Sequence, residues 1–259
     1  MIPYFNQPSL SLGPISIHAF GVLVAAGILI GMRLIRRRSS ALGMDGALAE
    51  RLTMWILLGG FAGAHLFDRL VYYPADALAH PLSLLRFWDG LSSYGGFMGS
   101  IAAASIFVHR ARLGSQKWAY LDLIAYALPT GWFFGRTGCF LAFDHPGLET
   151  TFFLAQRYSD RVVRHNLGLD EALYTLPIAL LFLWLGRGRT RSPGFFAGLL
   201  ALVYAPVRFL LDYLRTDDVR YFNFTPGQYA SAAFLVGGVL ILWLIPTRAP
   251  SPPAGLPTQ

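Results

Sequence analysis

Residues 135–147 read G-R-T-G-C-F-L-A-F-D-H-P-G and close a long apolar run. They place Arg136 only a few residues before a polar exit at Asp144 and His145. An arginine inside a membrane-spanning helix costs about 2.5–3.5 kcal/mol on insertion scales, so Arg136 needs an anionic partner or a water-filled cavity. The glycines that flank it would let a ligand head group approach closely. The stretch therefore predicts a site for a negatively charged group inside a membrane.

The composition agrees with a membrane protein. Of the 259 residues, 54% are hydrophobic and only 14% are charged, whereas soluble domains carry about 25% charged residues. The net charge of +7 comes from arginines clustered between apolar runs, which indicates membrane topology and no nucleic-acid partner. Cys139 is the only cysteine, so we expect no internal disulfide and no cysteine metal cluster.

Seven apolar stretches of roughly the length that crosses a bilayer predict an all-α integral membrane protein of about seven transmembrane helices. We expect one polytopic domain at residues 1–249, with an interfacial arm at 1–17, a periplasmic loop at 144–170 and a disordered tail at 250–259. Residues 75–90 are too short to cross and would lie flat on the outer surface. The predicted spans are 18–35, 52–73, 92–109, 118–143, 171–185, 194–214 and 226–245, the fourth broken by Pro129 and several glycines.

The loop charges predict the orientation of the chain. Basic residues mark the cytoplasmic ends of membrane helices, and with seven spans most of them fall on one side. The N-terminus would then be outside and the C-terminus cytoplasmic. The residues on the cytoplasmic side are Arg36, Arg37, Arg38, Arg110, Arg112, Lys117, Arg187, Arg189, Arg191 and Arg248.

A second polar cluster lies at the outer half of the sixth span. Arg208 and Asp212 are four residues apart, and Asp212 and Arg215 three apart, so the three share one helix face. Asp212 could fix the arginines so that their planar forks present donors to a phosphate. The alternative is a self-satisfied salt-bridge ladder, just as Arg136 could pair with a carboxylate only to hold helices together. Three arginines facing one aspartate leave a positive surplus, which favours an anionic ligand.

A third cluster, residues 88–99, reads W-D-G-L-S-S-Y-G-G-F-M-G at the outer end of the third span. Tyr94 precedes Gly95 and Gly96, where its hydroxyl and accessible backbone amides could face a cavity. An interfacial tyrosine beside a small-residue helix contact explains the same pattern.

Two weaker signals favour packing over chemistry. The spacing of His65 and Asp68 puts them on one helix face, but nothing supplies further metal ligands, so a local hydrogen bond is the better interpretation. Cys139 is more typical of a small packing residue than of a nucleophile. We predict no metal site.

Together the clusters resemble the bacterial prolipoprotein diacylglyceryl transferases. The Arg136 stretch resembles the family signature G-R-x-G-N-F-x-N-x-E-x-x-G. Residues 88–99 are similar to W-D-G-G-x-S-x-H-G-G-x-x-G, and the Arg208 stretch R-F-L-L-D-Y-L-R-T-D-D to R-x-x-x-E-x-x-R-x-P-D. S-L-G-P-I-S-I-H near the start, A-L-Y-T at 172–175 and T-P-G-Q-Y at 225–229 also match in order, over nearly the whole chain.

The resemblance implies a seven-helix enzyme of the bacterial inner membrane that works without a cofactor. Such enzymes move the diacylglyceryl group of phosphatidylglycerol to the lipobox cysteine of a prolipoprotein, releasing glycerol phosphate. By resemblance, Arg208, Asp212 and Tyr94 are the candidate catalytic residues. The candidate head-group contacts are Arg136, Arg208, Arg215, Gly95, Gly96 and Asp144.

Several positions depart from the family pattern. Tyr94 stands where the family has a histidine, and a phenol has an ordinary pKa near ~10 against about 6.5 for an imidazole. Cys139 and Ala142 replace two asparagines. Asp144 and Asp212 replace glutamates, and Thr175 replaces another. The leading hypothesis is a divergent transferase with altered efficiency or acceptor range. The alternatives are a related transferase with another acceptor and a non-catalytic phospholipid-binding membrane protein.

Overall fold

The computed structural model describes residues 1–13, 15–86, 90–187, 190–216, 218 and 220–245. Its helices are α1 (Ala19–Ala41), α2 (Gly46–Phe67), α3 (Pro74–Ala79), α4 (Ser93–Arg110), α5 (Lys117–Ala142), α6 (Leu167–Leu185), α7 (Phe195–Leu211) and α8 (Pro226–Leu244). Its strands are β1 (Ser9–Leu12), β2 (Ile15–His18), β3 (Pro146–Glu149), β4 (Gln156–Arg157) and β5 (Val163–Asn166). Trp88, Arg189, Arg248 and the predicted tail at 250–259 lie outside the described residues.

The protein is mostly helical, and a long helix overlaps each predicted span, although α1 ends six residues later than predicted and α2 begins six residues earlier. Within the described residues, five helical segments are long and apolar enough to cross a membrane: Ala19–Ala41, Gly46–Tyr72, Leu167–Leu185, Phe195–Leu214 and Pro226–Leu244. Two more, α4 and α5, occupy the positions of the predicted third and fourth spans. The structure is that of an α-helical membrane protein.

Three details of the sequence prediction are corrected. Residues 9–18 contain a hairpin of β1 and β2, with Gly13 at a positive φ of 62° in the turn, because alternating apolar residues favour strands; His18 thus ends a strand and does not begin the first span. The predicted loop at 144–170 contains an antiparallel sheet of order β3-β5-β4, and its last residues begin α6. The helix α5 continues through Pro129, since contacts in a membrane bundle compensate the lost hydrogen bond.

The chain forms two compact units, of which one comprises Ser39–Lys117. In this unit α2 and α4 cross at glycines. A Cβ on Gly63 would lie 2.8 Å from the Cα of Gly99, too close for any larger residue. Small residues at such crossings let helix backbones approach in membranes.

The segment after α2 is held by a buried histidine. The ring of His65 contacts the backbone carbonyls of Leu84 (Nε2, 3.1 Å) and Gly90 (Nδ1, 3.4 Å). The predicted surface segment forms α3 and a 3-10 turn, Pro81–Leu85. Leu78 and Leu82 in it are 83% and 75% exposed, which agrees with a segment lying on an apolar surface.

The other unit comprises Met1–Arg38 and Trp118–Gln259. Arg38, at the end of α1, donates from Nη1 to the carbonyl of Gly186 at 2.7 Å. Its guanidinium lies 4.5 Å from the ring centre of Tyr126 and 4.7 Å from that of Phe196. This contact joins α1, α5, α7 and the end of α6. The same unit holds every arginine of the candidate site, on α5, on α7 and just beyond α7.

Candidate functional site

Two arginines from different helices meet at one buried carboxylate. Glu171, in the second turn of α6, keeps only 2% of its side-chain surface exposed. Its Oε2 lies 2.7 Å from Nε of Arg136 on α5, and its Oε1 lies 3.4 Å from Nε of Arg208 on α7. Glu171 therefore holds both guanidiniums in fixed positions.

Asp212 supports the same cluster from the end of α7. Its carboxylate is fully buried and accepts a hydrogen bond from Nη1 of Arg208 and another from the hydroxyl of Thr225. Thr225 caps α8 in a capping box with Gln228, in which the backbone N–H of Thr225 donates to Gln228 Oε1 at 2.9 Å. A side chain on Gly227 would collide with this carboxylate. The T-P-G-Q sequence at residues 225–228 thus binds and positions the carboxylate of Asp212.

Arg215 lies beyond the end of α7 and pairs mainly with a third carboxylate. Its Nε is 2.6 Å from Oδ2 of Asp218 and 3.9 Å from Oδ1 of Asp212. It is therefore bound chiefly to Asp218 and only loosely to the carboxylate that orients Arg208.

These ion pairs correct the charge surplus expected from the sequence. Arg136, Arg208 and Arg215 face Glu171, Asp212 and Asp218 within the described residues. The cluster is thus balanced by its own carboxylates, and excess positive charge is no reason to expect an anion.

The geometry of the two guanidiniums gives a different reason to expect an anionic ligand. Arg136 uses Nε for Glu171 and Nη1 toward His145, while Arg208 uses Nε for Glu171 and Nη1 for Asp212. Within the described residues this leaves Nη2 of each arginine for a ligand. Both side chains are 17% exposed although their carboxylates are buried. Two guanidinium groups that are held in place by the same carboxylate, Glu171, can both donate N–H groups to the oxygens of one phosphate.

Aromatic rings lie around this centre. The hydroxyl of Tyr204 donates to Glu171 Oε2 at 3.4 Å, and its ring packs 5.4 Å from those of Trp132 and Tyr174. The Trp132 ring also lies 5.6 Å from the Arg136 guanidinium. Such apolar walls strengthen the ionic contacts within the site by excluding water.

Asp144 does not reach the two arginines directly but binds His145. Its Oδ1 lies 2.5 Å from Nδ1 of His145, and the other ring nitrogen, Nε2, is 3.4 Å from Nη1 of Arg136. Cys139, Asp144 and His145 bring possible metal-binding atoms within 4.8 Å of one another. The neighbouring guanidinium opposes a second cation at this place, so we interpret the group as a hydrogen-bonded network.

Tyr94, Gly95 and Gly96 belong to the unit Ser39–Lys117, in the first turn of α4. Ser92 caps this helix by accepting from the N–H of Gly95 at 3.4 Å. A side chain on Gly95 would collide with Gly63 and Phe67 of α2. This is the small-residue helix contact that the sequence allowed as an alternative, and Tyr94 beside it is half-buried.

Two residues of the site were missed in the sequence. Glu171 was placed only as the first residue of the fifth span, although a carboxylate at the end of an apolar run is itself a functional candidate. His145 was noted only as part of the polar exit from the fourth span. Its signal, an Asp-His pair directly after a helix that carries an arginine, is too common to be specific.

Comparison with known proteins identifies the chain's relatives. The family described as prolipoprotein diacylglyceryl transferase matches residues 7–244. A phosphatidylglycerol–prolipoprotein diacylglyceryl transferase of Tolumonas auensis is 32% identical over 91% of this chain and 93% of its own length. Proteins of the same name from Cereibacter sphaeroides and Solidesulfovibrio magneticus are also 32% identical, the latter over 96% of both chains.

Proposed function

The chain belongs to the prolipoprotein diacylglyceryl transferase family, and we propose that it transfers the diacylglyceryl group of phosphatidylglycerol to the lipobox cysteine of prolipoproteins. The family match and the names of the relatives support this reaction. The observation that carries it is the pair Arg136 and Arg208 on the shared carboxylate of Glu171, with one Nη2 group of each left for a phosphate.

In this proposal Arg136 and Arg208 bind the phosphate of phosphatidylglycerol and Asp212 keeps Arg208 in place. Arg215, bound to Asp218, is an outer contact for the head group. Gly95, Gly96 and Asp144 are further head-group contacts by family position, and Tyr94 would donate a hydrogen bond to a phosphate or ester oxygen.

The reaction is a displacement at the glycerol carbon that carries the phosphate. The thiol sulfur forms a bond to that carbon, while the carbon–oxygen bond breaks and its electron pair leaves on glycerol phosphate. The phosphate gains negative charge as it departs, so guanidiniums fixed beside it stabilise the transition state more than the bound lipid. The thiol proton must pass to a base.

The proposed setting is the bacterial inner membrane. We propose seven spans, with α4 and α5 as the third and fourth, the N-terminus outside and the C-terminus in the cytoplasm. The basic residues toward the end of α1, around the connection of α4 and α5, and after α6 support this orientation. It places the arginine cluster near the outer face, where prolipoproteins emerge.

Complementation tests the function. The chain is expressed in a bacterium depleted of its own diacylglyceryl transferase, and the mobility of a lipoprotein precursor is followed. We expect the wild-type chain to restore maturation and Arg208→Ala to abolish it. Arg157→Ala, an exposed arginine on β4, is the matched control and should mature the precursor normally.

A wild-type chain that reaches the membrane while the precursor still accumulates would overturn the proposed reaction. Binding of phosphatidylglycerol to that chain, lost in Arg208→Ala, would then favour the non-catalytic lipid-binding alternative. Full maturation by Arg208→Ala would instead show that this arginine is dispensable and that the assigned site is wrong.

A further inference from the structure

His145 lies between the carboxylate of Asp144 and the guanidinium of Arg136. Both contacts require the same ring nitrogen, Nδ1, to carry the proton. The ionised carboxylate of Asp144 can only accept, so Nδ1, 2.5 Å away, carries the ring proton. The guanidinium of Arg136 can only donate, so Nε2, at 3.4 Å, presents its lone pair. With both contacts satisfied, Nδ1 is the N–H of the ring, and Nε2 is the acceptor nitrogen that faces Arg136 and the proposed phosphate site.

The contact between His145 and Arg136 is long enough to be given up. A good N–H donor contact measures about 2.7–3.2 Å, and this one is 3.4 Å. A phosphate that binds Nη2 of Arg136 and draws the guanidinium toward itself would move Nη1 away and free the lone pair of Nε2. The ring keeps 24% of its side-chain surface exposed, so a substrate group can reach it.

The other carboxylates around the arginines are less suited to accept a proton. Glu171 is shared between two guanidiniums, and Asp212 is fully buried under Arg208 and Thr225. The oxygens of both carboxylates are thus already engaged by donors of this cluster, so neither is placed to accept the proton of a thiol. Imidazole is the side chain that ordinarily exchanges its proton near neutral pH.

We propose that His145 is the general base of the reaction, with Asp144 as the residue that positions it. The proposal rests on the transferase function proposed above. Nε2 of His145 takes the proton of the lipobox thiol as the sulfur attacks the glycerol carbon. The C–S bond forms, the C–O bond to the phosphate breaks, and glycerol phosphate leaves with the electron pair. The imidazolium then returns its proton to solvent.

The distances suit this assignment. Reacting atoms come to about 3–3.5 Å of one another before reaction, and a base must lie within about 2.6–3.2 Å of the group that it deprotonates. Nε2 of His145 lies 3.4 Å from Nη1 of Arg136, so a thiol hydrogen-bonded to Nε2 would lie beside a phosphate bound by that arginine.

The test uses the full-length protein in vesicles of phosphatidylglycerol with a synthetic lipobox peptide, following thioether formation and release of glycerol phosphate. General bases contribute about 100- to 10,000-fold, so His145→Gln should slow transfer at pH 7 by about 100-fold or more. The thiolate fraction of a free cysteine rises about 30-fold between pH 7 and 9.5. The ratio of the wild-type rate to the His145→Gln rate should therefore fall about 30-fold between pH 7 and 9.5, because a peptide whose thiol is already ionised needs no base.

Neighbouring ionisable groups must not produce the same pH effect. They are Cys139 and Arg136 on α5, Tyr158 between β4 and β5, and the pair of His165 and Asp170. Burial, with a smaller contribution from Asp144, raises the pKa of Tyr158 to about 12, above the range tested. His165 makes an equivalent contact with Asp170 at 3.2 Å, so His165→Gln is the matched control and should transfer at the wild-type rate throughout.

A second variant separates chemistry from folding. His145→Ala should regain transfer when free imidazole is added, while its thermal stabilisation by phosphatidylglycerol stays as in the wild type. A deficit that is constant with pH and not rescued by imidazole would overturn the proposal and leave a structural role. A fully active His145→Gln would overturn it without affecting the proposed function. Absence of transfer by the wild-type chain would refute that function itself.

Discussion

Glu171 is the residue on which both site arginines depend. It contacts Arg136 and Arg208 at once and is nearly inaccessible to solvent. Removing one partner from a buried ion pair leaves an uncompensated charge, which is usually worse than losing the whole pair. The carboxylate of Glu171 therefore stabilises both guanidiniums inside the fold.

We predict that Glu171→Gln lowers the free energy of unfolding by about 3–5 kcal/mol, because it leaves two buried guanidiniums without their shared anion. Thermal unfolding in detergent measures the loss. Adding phosphatidylglycerol should stabilise this variant more than the wild type, since the lipid phosphate supplies the missing negative charge.

Glu149→Gln provides the control for that change. Glu149 is an exposed residue of β3, and its substitution should leave both stability and the lipid effect as in the wild type. If Glu171→Gln gained no more from phosphatidylglycerol than the wild type, the phosphate would not bind at these arginines.

At the scale of whole elements, the crossing of α2 and α4 depends on glycines that face each other. A Cβ on Gly99 would lie 2.9 Å from the Cα of Gly63 and would also collide with the carbonyl of Gly59. Gly96, one turn earlier on α4, would gain only an ordinary contact, 3.6 Å from the Cβ of Ala64. The two glycines of one helix therefore differ in the space around them.

We predict that Gly99→Ala destabilises the protein by about 1–3 kcal/mol, the usual cost of overpacking. Gly96→Ala should have equal or slightly higher stability, because alanine is the better helix former. Thermal unfolding of the two variants in the same detergent gives the comparison. Equal melting temperatures would mean that the helices separate without cost and that their close approach does not stabilise the unit.

The end of α7 and the beginning of α8 together position Arg208 in the candidate site. α7 stops just before Asp212, and α8 begins after Thr225 with a capping box that also binds Asp212. Because the same threonine caps a helix and holds the carboxylate, the position of Arg208 depends on where α8 begins.

On the scale of the whole molecule, the distribution of basic residues decides how the chain crosses the membrane. Arg110 ends α4, Arg112 follows it and Lys117 begins α5, while the sheet of β3, β5 and β4 follows the other end of α5. Loops rich in lysine and arginine stay in the cytoplasm, so the sheet and the arginine cluster should face outward.

We predict that alkaline phosphatase fused after residue 160 is active and that the same enzyme fused after residue 113 is inactive. The phosphatase works only outside the cytoplasm, so its activity reports the side of each loop. Matched fusions to green fluorescent protein, which fluoresces when cytoplasmic, should give the reverse pattern. Active phosphatase at residue 113 would invert the proposed orientation.

Much of the fold could be predicted from the sequence because its signals are local. The long helices lie where apolar stretches end at basic or aromatic residues, and Arg208 and Asp212 are neighbours on one helix face. The strands of residues 1–17 and 144–170 were not predicted, since short strands depend on pairing with distant partners. Pro129 was expected to break α5 but lies within a continuous helix, because surrounding contacts compensate it.

The sequence by itself determined that this is a membrane protein, which arginines are candidates for its site and which family it resembles. All three are carried by composition, helical spacing and motifs, which are properties of neighbouring residues. The tertiary structure alone decided that Glu171 balances those arginines and that His145 points its basic nitrogen toward Arg136. Such pairings bring together side chains from different elements, and the short range of hydrogen bonds makes them depend on how the helices pack.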